Sequence, residues 1–334
     1  MDVAGDSRVP VTVVTGYLGA GKTTLLNHLL TQDHGKRFAV IVNEFGDIGI
    51  DGDLIQTGDE ELIELSSGCL CCVVRGDLIR TLRRLLRAEK GGLDGILIET
   101  TGVANPSPVI QTFRADQVLA GTARLDAVVT VVDGAHIGAR LADSEDAVDQ
   151  VALASVIVLN KAADTQDLAA TEEMLRAINP AAPIHRTDRG RIDPAKLLET
   201  DSFSLDQVAA DLAQEEAGHD HHDHHDHQDH VAANGIASVS VALDDPLAPD
   251  LLEPWMERLL LLRGADILRL KGVLNIAGEP RRVIVQSVHM MYEGDYGAPW
   301  GDAPRRSRLV VIGRDLDPAE IRDGLAACRA NLAA

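Results

Sequence analysis

The sequence predicts an α/β protein with a mostly parallel sheet, followed by a small α+β domain. Three features carry this reading. The first half alternates short β-branched runs with helical segments, the pattern of strands joined by crossover helices. A tract at His219–His230, HDHHDHHDHQDH, holds only polar residues and interrupts the chain. After it, the segments run strand, helix, three strands, helix. Taken in order, Val9–Thr15 reads as the first strand and Lys22–Gln32 as the helix behind it. Phe38–Val42, Ile96–Glu99, Val128–Val132 and Val156–Leu159 are apolar runs of the kind buried on both sheet faces. Gly76–Glu89 places Leu78, Leu82, Leu85 and Leu86 at helical spacing with Arg on the other face, and Glu172–Ile178 closes a helix that stops at Asn179-Pro180. Beyond the tract, Ile236–Leu243 alternates as a strand and Leu251–Leu262 reads as an amphipathic helix. Ile267–Ile276, Arg282–Met290 and Ser307–Ile312 read as strands, and Pro318–Leu332 as a final helix. The expected division is residues 1–200, a mobile His- and Asp-rich linker over 201–235, and a second domain over 236–334.

Composition narrows the function. At about 150 residues per domain, 334 residues make two domains. Lys and Arg number 31 against 52 Asp and Glu, a formal charge of −21, which argues against a general nucleic-acid binder, since that would need a cationic face for phosphates. Aromatics at 3% leave the cores to Val, Ile, Leu and Ala. No apolar run approaches the roughly 18 residues of a membrane span. The opening Met1–Asp6 lacks a basic start and an apolar stretch, and the four Cys are too few for a disulfide framework, so the expected location is a reducing cytoplasm.

The chemistry begins at Gly16-Tyr17-Leu18-Gly19-Ala20-Gly21-Lys22-Thr23, which fits G-x-x-x-x-G-K-[ST] with a strand before it and a helix after it. Glycines let backbone N–H groups turn inward around phosphate oxygens, and the helix adds its positive N-terminal end. This defines a P-loop NTPase domain, with Gly16, Gly19, Ala20, Gly21, Lys22, Thr23 and Thr24 as nucleotide-binding residues. Lys22 is expected to reach the β- and γ-phosphates and Thr23 to hold Mg²⁺. Glu99 ends the strand Ile96–Glu99, where P-loop proteins hold Mg²⁺ or its water, and Gly102 lets the backbone approach the γ-phosphate. Glu44 and Asp47 follow the second strand as either solvated loop acids or switch groups. Glu44, Glu99 and Lys22 are the candidates for catalysis, with the two acids orienting water or Mg²⁺. The segment Asn160-Lys161-Ala162-Ala163-Asp164 resembles the guanine-reading N-K-x-D element with one extra residue. A carboxylate there accepts from both N1–H and N2–H₂ of guanine, a pair that adenine lacks.

Cys69, Cys71 and Cys72 place three thiols within four residues. Thiolates are strong ligands for Zn²⁺ and related ions. Three leave one tetrahedral position for water, for a carboxylate such as Glu44, or for a partner's ligand. The alternatives are buried small apolar groups or a redox pair. Cys328 stands alone in the final helix as a packing residue, and His289 reads as a core or surface group of an apolar strand.

Together, GYLGAGKTT at Gly16–Thr24, NEFGDIGID at Asn43–Asp51, GCLCC at Gly68–Cys72 and ETTG at Glu99–Gly102 resemble the CobW-type metallochaperone GTPases. The second region is similar to that family's C-terminal domain in Arg269–Gly272, Gln286–His289 and Val311–Arg314. The resemblance implies a slow GTPase that binds Zn²⁺ or Co²⁺ at the three Cys and delivers it to a client metalloprotein. It also implies that Asn43–Asp51 is a switch; a homo-oligomer is a partner state that the sequence leaves open. The family element N-K-x-D is here NKAAD, a departure that bears on Asp164. Three other readings stand beside this one: a nickel-insertion or cobalt-supply GTPase, a His-rich metal buffer or sensor with a regulatory nucleotide site, and an ATP-using P-loop protein. The seven His of the tract are either a metal-collecting set or a solvated spacer.

Overall fold

The computed structural model describes residues 6–32, 35–43, 61–65, 73–88, 92–204, 207–208, 230–231, 235–289 and 291–330. These form two compact units, residues up to 172 with 182–201, and residues 173–181 with those from 202 onward.

The chain opens with β1 (Val9–Thr15), α1 (Lys22–Thr31), β2 (Phe38–Asn43), β3 (Glu61–Leu65), α2 (Val73–Ala88) and β4 (Gly95–Glu99). It continues through α3 (Ser107–Ala115), α4 (Gln117–Thr122), β5 (Ala123–Asp133), α5 (Ile137–Asp143), α6 (Glu145–Leu153), β6 (Val156–Asn160), α7 (Leu168–Ile178) and β7 (Ile184–Arg186). The seven strands lie in the order β3-β2-β4-β1-β5-β6-β7, and every neighbouring pair is parallel. Every residue of β4 and of β6 is buried, which is why these strands read as unbroken apolar runs. On one face Leu25, Leu26 and Leu29 of α1 pack against Val40, Leu97, Val129 and Val158.

The topology places the site. β1 lies between β4 and β5, so the strand order reverses there, and in parallel sheets ligands bind beyond the carboxyl ends of strands at such a point. The loops after β1, β4, β5 and β6 all leave from that edge. α4 and α6 are capped by the side chains of Asp116 and Ser144, and α6 carries Glu145 and Asp146 in its first turn, whereas α1, α3 and α5 have neither a side-chain cap nor an acid there. α1 starts at Gly21 with no side-chain cap and no acid in its first turn, so its leading N–H groups stay open to an anion.

The second unit contains β8 (His230–Val231), β9 (Ile236–Leu243), α8 (Pro249–Arg263), β10 (Ile267–Leu274), β11 (Arg281–Val288), β12 (Met291–Pro299), β13 (Ser307–Arg314) and α9 (Pro318–Ala327). Its antiparallel sheet has the order β12-β11-β10-β13-β9-β8. Leu252, Met256 and Leu259 of α8, with Ile321 and Leu325 of α9, cover a sheet face formed by Val239, Leu270, Val285, Leu309 and Val311.

Several expectations are corrected in detail. The strand expected over Arg282–Met290 ends at Val288, because His289 takes a left-handed φ of 49° that no strand tolerates. His289 is a half-buried turn residue. The strand expected over Ile267–Ile276 ends at Leu274. The final helix ends at Ala327 with Cys328 as its C-cap, where the buried thiol donates to the Gly324 carbonyl at 3.2 Å. Of the histidine tract only His230 is described, paired in β8 with Ser238; the remainder lies outside the described residues. No described helix is long and apolar enough to cross a membrane.

Candidate nucleotide site

The phosphate loop is built from backbone that only glycine adopts easily. Gly16, Gly19 and Gly21 have φ of 139°, 77° and 102°. A Cβ on Gly16 would collide with the Val131 carbonyl, and one on Gly21 with the Asn160 amide. Within the loop Ala20 N–H donates to the Tyr17 carbonyl at 3.1 Å. Lys22 is buried at 7% exposure, and its Nζ donates to the Gly16 carbonyl at 3.0 Å, drawing the two ends of the loop together. The buried Glu99 ends β4 directly across from α1, and Thr23 Oγ1 donates to its Oε1 at 3.1 Å. Thr24 is exposed one residue further on. The structure therefore brings together Lys22, Thr23 and Glu99 as expected.

A second set of contacts braces this loop from the β6 side. Asn160 is buried, and its side chain is spent on structure: Nδ2 donates to the Ala20 carbonyl at 2.8 Å and Oδ1 accepts from Gly190 N–H at 3.1 Å. Lys161, left-handed at φ 57°, donates from Nζ to the Gly19 carbonyl at 3.0 Å and to Asp133 Oδ2 at 2.6 Å. Asp133 also pairs with His136 Nδ1 at 3.0 Å. Burial pushes the Asp133 carboxyl up, but its hydrogen bonds to Lys161 and His136 outweigh that and hold it below the usual range. The extra residue of NKAAD is absorbed by a 3₁₀ turn over Ala162–Asp164, leaving Asp164 exposed with its N–H on the Lys161 carbonyl at 3.1 Å. A second acid stands on the same turn, since Asp188 Oδ1 accepts from Ala163 N–H at 3.0 Å. Asp188 was not among the sequence candidates; it follows β7, a three-residue strand without an apolar run to announce it.

The loop after β4 completes the edge. Thr100 N–H donates to the Val14 carbonyl at 3.0 Å and its hydroxyl to Thr15 Oγ1 at 2.8 Å. Gly102 then passes close to Leu18 of the phosphate loop. Outside the loop tip lies a cavity of about 210 Å³, lined among others by Tyr17, Asp133, Arg140, Gln150 and Lys161, with the Arg140 guanidinium 5.1 Å from the Tyr17 ring. Glu44, Asp47, Cys69, Cys71 and Cys72 lie outside the described residues. Among the described residues, no group of three or more His, Cys, Asp or Glu is placed to hold a metal ion.

Residues 10–186 match the CobW/HypB/UreG nucleotide-binding domain, and residues 236–329 match the cobalamin synthesis protein CobW C-terminal domain. The chain is 37% identical over 324 residues to the zinc chaperone YjiA of Escherichia coli, covering 96% of this chain and 99% of that one. It is 38% identical over 354 residues to the zinc chaperone CobW of Pseudomonas aeruginosa, covering 96% and 91%. Among solved structures, the Zn(II)-bound YjiA GTPase from E. coli superposes with a TM-score of 0.76 at 32% identity, covering 97% of this chain and 99% of that one.

Proposed function

This chain belongs to the CobW/HypB/UreG family, and on that premise we propose that it is a GTPase that binds Zn(II) and passes it to a client metalloprotein in the cytoplasm. The observation that carries the nucleotide half is the Thr23–Glu99 pair beneath an open helix end, with Lys22 at the mouth of the loop. The relatives' names support the metal half.

The chain's own groups divide the work. Backbone N–H groups of Gly19 and Gly21–Thr23 and the α1 N-terminus bind the β-phosphate. Lys22 exchanges the Gly16 carbonyl for phosphate oxygens and neutralises charge that grows on them during hydrolysis. The Thr23 hydroxyl and Glu99 carboxylate are hard oxygen ligands at a spacing that suits Mg²⁺, held directly or through water; when bound, that ion neutralises the β- and γ-oxygens. Asn160 and Lys161 keep the loop in shape, and Asp164 reads the guanine edge from the 3₁₀ turn. Cys69, Cys71 and Cys72, with Glu44, are the proposed Zn(II) ligands.

GTP and Zn(II) are energetically coupled in this reading, so each tightens the other by the same factor. The test is a chelator-competition titration of Zn(II) on the full chain with GTP, GDP or no nucleotide, repeated on Cys71→Ser. Zinc is expected to bind most tightly with GTP, with Cys71→Ser removing that preference. Equal zinc affinity in all three nucleotide states would sink the coupling.

A further inference from the structure

The loop that follows Glu99 is gripped from two sides. On one side a Cβ on Gly102 would stand 2.6 Å from both Cα and N of Leu18, so the loop lies directly on the phosphate loop. On the other side it is held by two consecutive residues of α6. Gln150 Nε2 donates to the Ala104 carbonyl at 3.1 Å and reaches the Gly102 carbonyl at 3.5 Å. Asp149 Oδ2 accepts from Asn105 Nδ2 at 2.6 Å, while Asn105 Oδ1 accepts from Ser107 N–H at 2.8 Å at the start of α3. The same turn of α6 is fixed to β5, because Thr130 Oγ1 donates to the Gln150 carbonyl at 2.6 Å.

Both α6 side chains are almost completely buried, Asp149 at 3% and Gln150 at 1% exposure. Their buried neighbours on the helix are Ala147, Val148, Val151, Ala152 and Leu153. An amide and a carboxylate in such a place cost more desolvation than apolar side chains filling the same space, and hydrogen bonds from both, to one short loop, offset this. Gln150 also lines the cavity of about 210 Å³ that Tyr17, Leu18 and Gly19 of the phosphate loop line, so the same residue borders both the loop after β4 and the space beside the phosphate loop.

We propose that Gln150 and Asp149 are positioning residues for γ-phosphate recognition. They hold the Gly102–Asn105 loop in the arrangement that meets the terminal phosphate, and they transmit the loss of that phosphate to α6. The proposal rests on the GTPase reading, and the two fail separately: absence of GDP binding by the unaltered chain defeats the reading, whereas the proposal stands or falls on a ratio.

Gln150→Glu keeps the size of the side chain and turns its donor into an acceptor aimed at two carbonyls. In the full chain with Mg²⁺, the GTP-to-GDP affinity ratio is expected to fall about tenfold, the cost of one buried hydrogen bond reversed, while GDP affinity stays within about twofold. A buried carboxyl facing carbonyls is protonated more readily, so the ratio recovers as pH drops from about 8 to about 6, a recovery the unaltered chain does not show. Asp149→Asn keeps an acceptor for Asn105 and loses its charge; it is expected to lower the ratio about threefold, and it serves if Gln150→Glu does not fold. A role in packing alone predicts a lower melting temperature and equal weakening of both nucleotides. Equal weakening, or an unchanged ratio in either folded variant, overturns the proposal.

Discussion

The two sheets of this protein bury polar groups in different ways. In the parallel sheet Thr12, Asp126 and Thr130 are buried in mid-strand, but Thr15, Glu99, Thr100 and Asn160 are buried at strand ends, and with Lys22 these converge on one loop of left-handed glycines. In the antiparallel sheet Arg269, Lys271 and Gln286 are buried in mid-strand, with Lys271 directly across from Gln286. There the Arg269 guanidinium lies 5.1 Å from the Phe203 ring, and Gln286 Nε2 donates to the Phe203 carbonyl at 2.7 Å. The second set seats a chain segment against a sheet face; the first braces the phosphate loop and the start of α1 through hydrogen bonds. Convergence at strand ends, rather than the number of buried polar groups, separates a site from a scaffold.

The largest expected effect tests this contrast directly. Lys22→Ala should lower GTP hydrolysis by about 100-fold or more, measured as phosphate release under saturating Mg²⁺. Lys271→Met, at a buried lysine of the second sheet, should change the melting temperature and leave turnover within about twofold. Comparable losses of turnover in both would erase the distinction.

An intermediate effect sharpens the β6 side of the site. The Asn160 side chain is committed to Ala20 and Gly190, which supports the proposal that a carboxylate of the 3₁₀ turn selects the base. Asp164→Asn presents a donor where guanine also has donors, so preference should move from GTP toward XTP by about 100-fold. Asp188→Asn is the control, expected to leave base preference in place. A switch in Asp188→Asn alone would transfer the reading role to that residue.

The smallest effect concerns pH. Asp133 has a depressed carboxyl, so its share of stability is complete above the unfolded carboxylate range and is lost as pH falls through that range toward the lower folded value. Its partner Lys161 is partly exposed, which limits the contribution to about 0.5–1 kcal/mol. Asp133→Asn should therefore flatten the acid limb of a urea-midpoint titration and barely alter it near neutrality. An acid limb identical to that of the unaltered chain would assign the pair no role in stability.

Much of the first sheet was legible because strands buried on both faces are largely apolar, as β1, β4 and β6 are up to the polar residues at their carboxyl ends. β3, with sequence ELIEL, alternates acids with apolar residues, and β12 carries two glycines and two acids; neither looks like a strand until a neighbour supplies the pairing. The phosphate loop was legible residue by residue, since glycine placement encodes left-handed backbone locally. Asn160 was found in a base-reading element, yet its partner Ala20 is 140 positions away, so its bracing role emerges only in three dimensions. Asp149 and Gln150 left no signal at all. In sequence they are ordinary polar residues of a helix, and only the β4 loop laid against them makes them special.

The uncapped start of α1 has a consequence for the resting condition of the molecule. A helix end with unmet donors is most stable with an anion in residence, so each bound nucleotide raises resistance to unfolding in proportion to the logarithm of its concentration over its dissociation constant. Hydrolysis in such a site exchanges one stabilising anion for another, so the fold keeps a lodger while the lodger changes by a single phosphate.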